Sequence, residues 1–273
     1  MNRMLDCMIE MGLEPHSPLS FEVDGKLVRF RVKGDKAGSK NGWLIGHSHP
    51  VHMAVFGSWK TGEQHTWREA STTPTTPAQR AEIQRQLAEM RRARDAELQQ
   101  VQAAARAKAA KLWERARPAT NDHAYLLKKR VNAYGLRRLN HMLLVPARDV
   151  NGTLQTIQFI SADGSKRFLT GGRIAGCYCA IGKPLDSLMV AEGYATGATL
   201  YAATGRAVAV CFSAGNMLAV ARELRLKFPS LRMIMCADND MTPGNPGVTA
   251  ATKAAQAVGG VVAVPNFAGV RHG

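Results

Sequence analysis

Along residues 20–68 apolar and polar positions alternate, as FEVDGKLVRFRV, a Gly- and Lys-rich turn GDKAGSKNG, and WLIGHSHPVHMAVFGSWKTGEQHTW. A period of two, punctuated by Asp24-Gly25 and Asn41-Gly42, predicts a small antiparallel domain of hairpins. STTPTTP at 71–77 is a breaker-rich linker. From Ala78 to Arg117 the chain is rich in Ala, Gln, Glu and Arg without a glycine or proline, which predicts one long helix, polar nearly all round and ended by Pro118. Its basic surplus could touch a nucleic-acid backbone, but a solvated spacer between domains is the favoured reading.

A short helix around 123–131 follows, then LLVPARDVNGTLQTIQFI, where Asn151-Gly152 between two alternating runs predicts a hairpin. KRFLTGGRIAGCYCAIGKP continues as a Gly-rich β-segment. From 187 the rhythm changes. LMVAEG precedes a helical pattern at 196–204, AVAVCF one at 214–228, and LRMIMCAD one at 247–258, with VVAVP last. Short apolar runs alternating with helix-length segments predict a parallel sheet covered on both faces, whose functional crevice lies outside the carboxyl ends of its strands. The domain expectation is therefore a β-rich segment 1–70, a linker and long helix 71–118, a mixed α+β segment 119–186, and an α/β domain 187–273.

Composition narrows the class. At 273 residues, with 45% hydrophobic content and a mean hydropathy of −0.18, the chain can fold as a soluble protein of two domains. No apolar run is long enough to span a bilayer and the opening MNRMLDCMIEMG carries acids, so no membrane partner and a cytoplasmic location are expected. Cys7, Cys177, Cys179, Cys211 and Cys236 contain no C-x-x-C pair, which argues against a disulfide framework or a four-cysteine site. No zinc is expected. His47, His49, His52 and His65 lack a cysteine or acid placed to complete a tetrahedral site, and read as loop histidines. The net charge of +15 suits a polyanionic partner, although a solvated basic surface gives the same count. Phe21, Phe30, Trp43, Phe56, Trp59 and Trp67, interleaved with basic residues, would suit base stacking, yet so small a domain needs aromatics for its core, which is the favoured reading.

The candidate chemistry sits in two strings, MVAEGYATG at 189–197 and MCADNDMTPGNPG at 235–247. Each is an apolar run ending in acid. Asp238 and Asp240, two apart on extended chain, project to one side, and Glu192 leaves a different strand of the same sheet. Three converging carboxylates repel one another unless a cation offsets them, and a hard divalent ion such as Mg²⁺, or Mn²⁺ in its place, does so. Gly193 and Gly197 allow close backbone approach and Thr196 is placed to cap the next helix, features that suit phosphate. GCYCAIGKP is no P-loop, because its spacing is wrong and Pro184 stands where Ser or Thr would bind metal.

The E-G after one strand and D-x-D after another resemble the Toprim domain shared by bacterial primases, topoisomerases and some nucleases. The string Glu192-Gly-Tyr-Ala-Thr-Gly197 is similar to the E-G-Y-A-T-A/G motif of primases from conjugative plasmids and satellite phages. Upstream, Lys166-Arg167-Phe168 and Gly171-Gly172-Arg173 resemble the basic subdomain that precedes Toprim in them, and the likeness covers about 120–266. Over 20–68, Arg29-Phe30-Arg31 and Gly42-Trp43 echo their N-terminal domain, but its zinc-binding cysteines are absent. The resemblance implies a Toprim-like parallel sheet with helices on both faces, preceded by a basic subdomain, and synthesis of RNA primers on single-stranded DNA from ribonucleoside triphosphates. A replicative helicase is an implied partner. It further implies that Glu192, Asp238 and Asp240 hold the metal, while Lys166, Arg167, Arg173 and Lys183 line a groove for template or triphosphate. Arg173 reads equally well as a surface arginine, and Tyr194 as packing. A Toprim-type nuclease and a non-catalytic DNA-binding accessory protein of a mobile element are the alternatives; the chain is too short for a topoisomerase.

Overall fold

In the computed structural model, which describes residues 2–19, 24–70, 75–239 and 245–265, the alternating N-terminal segment forms an antiparallel sheet. Phe21 and Asp240 lie outside the described residues. The chain divides into two units, Met1–Val101 and Gln102–Gly273, each with its own core.

The first unit comprises α1 (Asn2–Glu10), β1 (Val28–Phe30), β2 (Gly42–His47), β3 (Met53–Ser58), β4 (Gln64–Arg68) and the first part of α2 (Pro77–Arg115). Its strands pair in the order β1-β2-β3-β4. The pleat sends Leu44, Ala54 and Phe56 to one face, against Met4 and Met8 of α1, and Trp43, Ile45 and Val55 to the other, against Ile83 and Met90 of α2. Both faces are thus buried, and the aromatics serve the core: Phe30, Trp43 and Phe56 are buried, and Trp43 stacks on Trp59 with ring centroids 5.1 Å apart. Two of the four histidines are not in loops, since His47 ends β2 and His65 lies within β4. Asp35 is buried and receives hydrogen bonds from Lys60 Nζ at 2.6 Å and Asn41 Nδ2 at 3.1 Å. The Lys60 bond, more than any other cause, holds its carboxyl below the usual range.

In the second unit α2 continues, followed by β5 (Arg117–Pro118), α3 (Ala124–Lys129), β6 (Arg137–Leu139), β7 (Met142–Arg148), β8 (Leu154–Ile160) and β9 (Lys166–Phe168). β5 to β9 form an antiparallel meander in sequence order, with Gly152 at φ +83° in the β7–β8 turn, the hairpin that Asn151-Gly152 predicts. One face carries Leu144, Ile157 and Phe159 and packs on Ala109, Leu112 and Trp113 of α2. The other carries Leu143, Val145 and Ile160 and packs on Tyr125 and Leu126 of α3 and on the next sheet. The long helix is therefore no free spacer. Small and apolar side chains recur at turn spacing in each part of it, and each part closes a sheet of its own unit.

The last sheet takes β10 (Cys179–Ile181), β11 (Ser187–Ala191), β12 (Ala207–Val210), β13 (Arg232–Cys236) and β14 (Val261–Ala263) in the order β10-β12-β11-β13-β14. β10 is antiparallel and the other four are parallel. α4 (Tyr194–Thr204) covers one face, where Met189, Ala191, Val208 and Val210 point. α5 (Ala214–Lys227) and α6 (Pro246–Val258) cover the other, over Leu188, Val190, Ala209 and Met235. This is the doubly covered parallel sheet that the apolar runs predict. Among the described residues no helix is long and apolar enough to cross a membrane.

Candidate active site at the strand ends

β11 and β13 are hydrogen-bonded neighbours with Ala191 level with Cys236. Glu192 follows the first strand directly and Asp238 lies two residues beyond the second, so adjoining parallel strands, roughly 4.8 Å apart, deliver two acids at one end of the sheet. Both carboxylates act on the same neighbours: they oppose the desolvation that lowers the Lys166 ammonium, and they contribute to raising the Cys211 thiol, which burial chiefly pushes up to about 12. Among the described residues no three His, Cys, Asp or Glu side chains gather at one point. The donor set present is hard oxygen, which fits a hard divalent ion rather than a thiophilic one.

Among the described residues, Lys166 is a basic residue on which both acids act. In the β8–β9 ladder it stands opposite Ile160, whose side is the one turned to the parallel sheet, and its Nζ lies 5.9 Å from the centre of the Tyr125 ring. Phe168, two residues on and therefore on the same side, meets Phe212 edge-on at 5.4 Å just past the end of β12. The Lys166 ammonium is lowered, first by desolvation and then by repulsion from Lys129, against the upward pull of Glu192 and Asp238. Lys129, in the last turn of α3 and four residues after Tyr125, is a charge that the motif reading missed; its only signal was the Lys-Lys-Arg run that ends the short helix.

The other expected groove residues go elsewhere. Arg167 stands opposite Phe159 on the α2 side of the meander, with its guanidinium 4.9 Å from that ring. Arg173 pairs with Asp149 at 3.1 Å, in a turn network where Asp149 also accepts from Gln155 at 2.7 Å. Lys183 is exposed beyond β10, and because Ile181 is level with Val208 while Cys179 is level with Val210, the chain leaves β10 toward the amino ends of the parallel strands. That is the end of the sheet opposite the acids.

Around the motif the structure sorts packing from site. Gly193 is the N-cap of α4 and Thr196 lies inside its first turn, so Thr196 is not the cap. A Cβ on Gly197 would come within 2.6 Å of Val210 Cγ2, which makes this glycine a helix-on-sheet contact, not a point of phosphate approach. Tyr194 is buried and its hydroxyl donates to the Asn132 carbonyl at 2.8 Å. Its role is packing. Phe212, at φ +73°, holds a left-handed conformation costly for a bulky residue, a strain of the kind found beside working sites. Asn216 fastens the rim: its Nδ2 donates to Cys177 O at 3.1 Å and Cys211 O at 2.9 Å, and its Oδ1 accepts from the Gly176 amide at 2.9 Å.

Residues 187–268 match the Toprim domain family. A DNA primase TraC of Escherichia coli is 33% identical over 279 residues, covering 97% of this chain and 26% of that protein. A second Escherichia coli DNA primase TraC is 33% identical over 261 residues, covering 90% and 18%. The chain thus spans about a quarter or less of the curated relatives it matches. Among solved structures, the primase fragment of the bacteriophage T7 primase-helicase protein aligns over 56% of this chain and 66% of that one, with TM-score 0.42 and 16% identity. A DNA primase domain from Pseudomonas aeruginosa aligns over 47% and 44%, with TM-score 0.34 and 18% identity.

Proposed function

We propose that this chain synthesises short RNA primers on single-stranded DNA, a reading supported by the match of residues 187–268 to the Toprim domain family and by the similarity of nearly all of the chain to part of two DNA primases TraC of Escherichia coli. One observation carries the reading beyond kinship: Glu192 and Asp238 leave adjoining strand ends and both act on the ammonium of Lys166, an exposed lysine of the preceding sheet.

Glu192, Asp238 and Asp240 are the groups that would hold Mg²⁺, or Mn²⁺ in its place. When bound, such an ion supplies compensation for the negative charge of a ribonucleoside triphosphate. Lys166 adds a positive charge on the facing side of the crevice, and the first amides of α4, which open directly after Glu192, favour phosphate oxygens. In the reaction a primer 3′-hydroxyl oxygen bonds to the α-phosphorus of the incoming nucleotide. The bond to the bridging oxygen breaks, pyrophosphate leaves, and the hydroxyl proton passes to solvent. The proposal keeps 119–186 as the basic subdomain and 187–273 as the Toprim domain, and a replicative helicase as a partner.

The test is incubation of the chain with single-stranded DNA, labelled ribonucleotides and Mg²⁺, followed by separation of products on a denaturing gel. Short ribonucleotide products that require the template are expected. Fragmented template instead would replace the proposal with a Toprim-type nuclease, and DNA binding without any product would replace it with a non-catalytic accessory role.

A further inference from the structure

The two parts of α2 carry charge differently. Over 77–101 there are five arginines and four acids. Each of those acids is in an ion pair: Glu82 and Glu89 with Arg85, Asp95 with Arg94, and Glu97 with Arg29. Over 102–115 there are Arg106, Lys108, Lys111 and Arg115 against Glu114 alone. All four cations are exposed, and none makes an ion pair among the described residues.

Their spacing sharpens this. Ala105, Ala109, Leu112 and Ala116 turn toward the β5–β9 meander. At about 100° per residue, Lys108, Lys111 and Arg115 fall within a sector of roughly 60° on one flank of that apolar stripe, spread over about 10 Å of helix axis. Like charges three and four residues apart weaken a helix by a few tenths of a kcal/mol per pair. The first part of the same helix interposes four acids among its five arginines, which brings its net charge to +1. A solvated face gains little from three aligned cations with the single acid Glu114 beside them, whereas a row of phosphates offsets their repulsion and releases its own counterions.

We propose that Lys108, Lys111 and Arg115 form a backbone-binding track for single-stranded DNA, separate from the crevice at Glu192 and Asp238. The meander's other face is the one turned to the parallel sheet, so this track holds a stretch of strand away from the reacting end. It needs no base contact and is indifferent to sequence.

The experiment measures anisotropy of a labelled oligothymidylate on the full chain across a salt series, for the parent, for Lys108→Gln with Lys111→Gln and Arg115→Gln, and for Arg85→Gln as a paired-charge control. Each lost phosphate contact removes about 0.7 from the slope of log K against log salt, so the triple variant should lose about 2 and the control nothing measurable. Primer synthesis at saturating template should persist in the triple variant. An unchanged slope in the triple variant, or an equal loss in the control, overturns the track. A parent that makes no primers but shows the slope loss in the triple variant alone sinks the primase reading and leaves the track standing.

Discussion

The two faces of the β5–β9 meander put cations to different uses. On the face toward α2, arginines lie over rings: Arg137 sits 4.8 Å and Arg148 5.6 Å from the centre of Trp113, and Arg167 4.9 Å from that of Phe159. There the guanidinium planes act as lids on apolar surface, keeping their charge wet. On the face toward the parallel sheet, Lys166 stays exposed, and its ammonium is lowered chiefly by desolvation while two carboxylates pull it upward. Lys166 and Arg167 are adjacent in sequence, and only the pleat separates a residue that meets the crevice from one that roofs a core. The difference teaches that a basic run states how much charge is present, while strand register states where it is spent.

The largest way to break that contrast is to remove the acids that give the crevice face its meaning. Asp238→Ala with Asp240→Ala should lower primer synthesis about a thousandfold or more, several kcal/mol of lost charge stabilisation, while the chain still binds single-stranded DNA. Primer yield at the parental rate from a folded double variant would end the assignment. Next comes the pair itself. Lys166→Ala should cost on the order of a hundredfold in rate with little change in stability. Arg167→Ala should leave the rate within about twofold and instead cost about 0.5–1 kcal/mol of stability, read by chemical denaturation. Equal rate losses from both would show that the two faces are not distinct. The lowered Lys166 pKa adds a sign: the charged form is lost as pH rises, so the rate should fall on the alkaline side earlier than an ordinary lysine would allow. Lys166→Arg, which stays charged, should remove that limb.

The sequence announced the parallel sheet plainly, because strands buried on both faces are written as unbroken apolar runs and the helices between them as period-3.6 segments. Glu192 and Asp238 were legible for the same reason: acid directly after such a run has only the strand end to occupy. What stayed hidden depended on pairing. Arg173 reads as a groove residue until Asp149 is seen to claim it, and Lys183 until β10 is found to run antiparallel to its neighbour. α2 reads as a polar spacer because averaging a 39-residue helix conceals two short apolar patches, one at Ile83 and Met90 and one at Ala109 and Leu112. Thr196 was misassigned by three residues, since helix starts are among the least certain features of a pattern.

A smaller effect separates motif from chemistry. Gly197→Ala sets a Cβ 2.6 Å from Val210 Cγ2 and 3.4 Å from Val208 Cγ1. Overpacking of this kind costs about 1–3 kcal/mol, against about 1 kcal/mol of helix propensity regained, so a net loss of about 1 kcal/mol is expected. With Val210→Ala in place the same change should become neutral or stabilising, a coupling that a double-mutant cycle reads directly. If Gly197→Ala lowered primer synthesis strongly in both backgrounds without touching stability, the glycine would belong to the reaction and not to the helix-on-sheet contact.

The smallest expected effect tests the geometry of the sheet itself. Lys183 stands beyond β10 at the amino ends of the parallel strands, whereas Glu192 and Asp238 leave the carboxyl ends. A parallel strand of four or five residues at about 3.3 Å per residue puts well over a Debye length between a side chain reaching out from one end and one reaching out from the other, so the exposed Lys183 charge is screened from the acids. Lys183→Ala should therefore change primer synthesis by less than twofold at physiological salt, while Lys166→Ala, on the facing side of the crevice, changes it on the order of a hundredfold. A loss at Lys183 comparable to that at Lys166, measured at the same salt, would mean that phosphate reaches both ends of the sheet, and the crevice at the carboxyl ends would no longer account for the binding of the triphosphate.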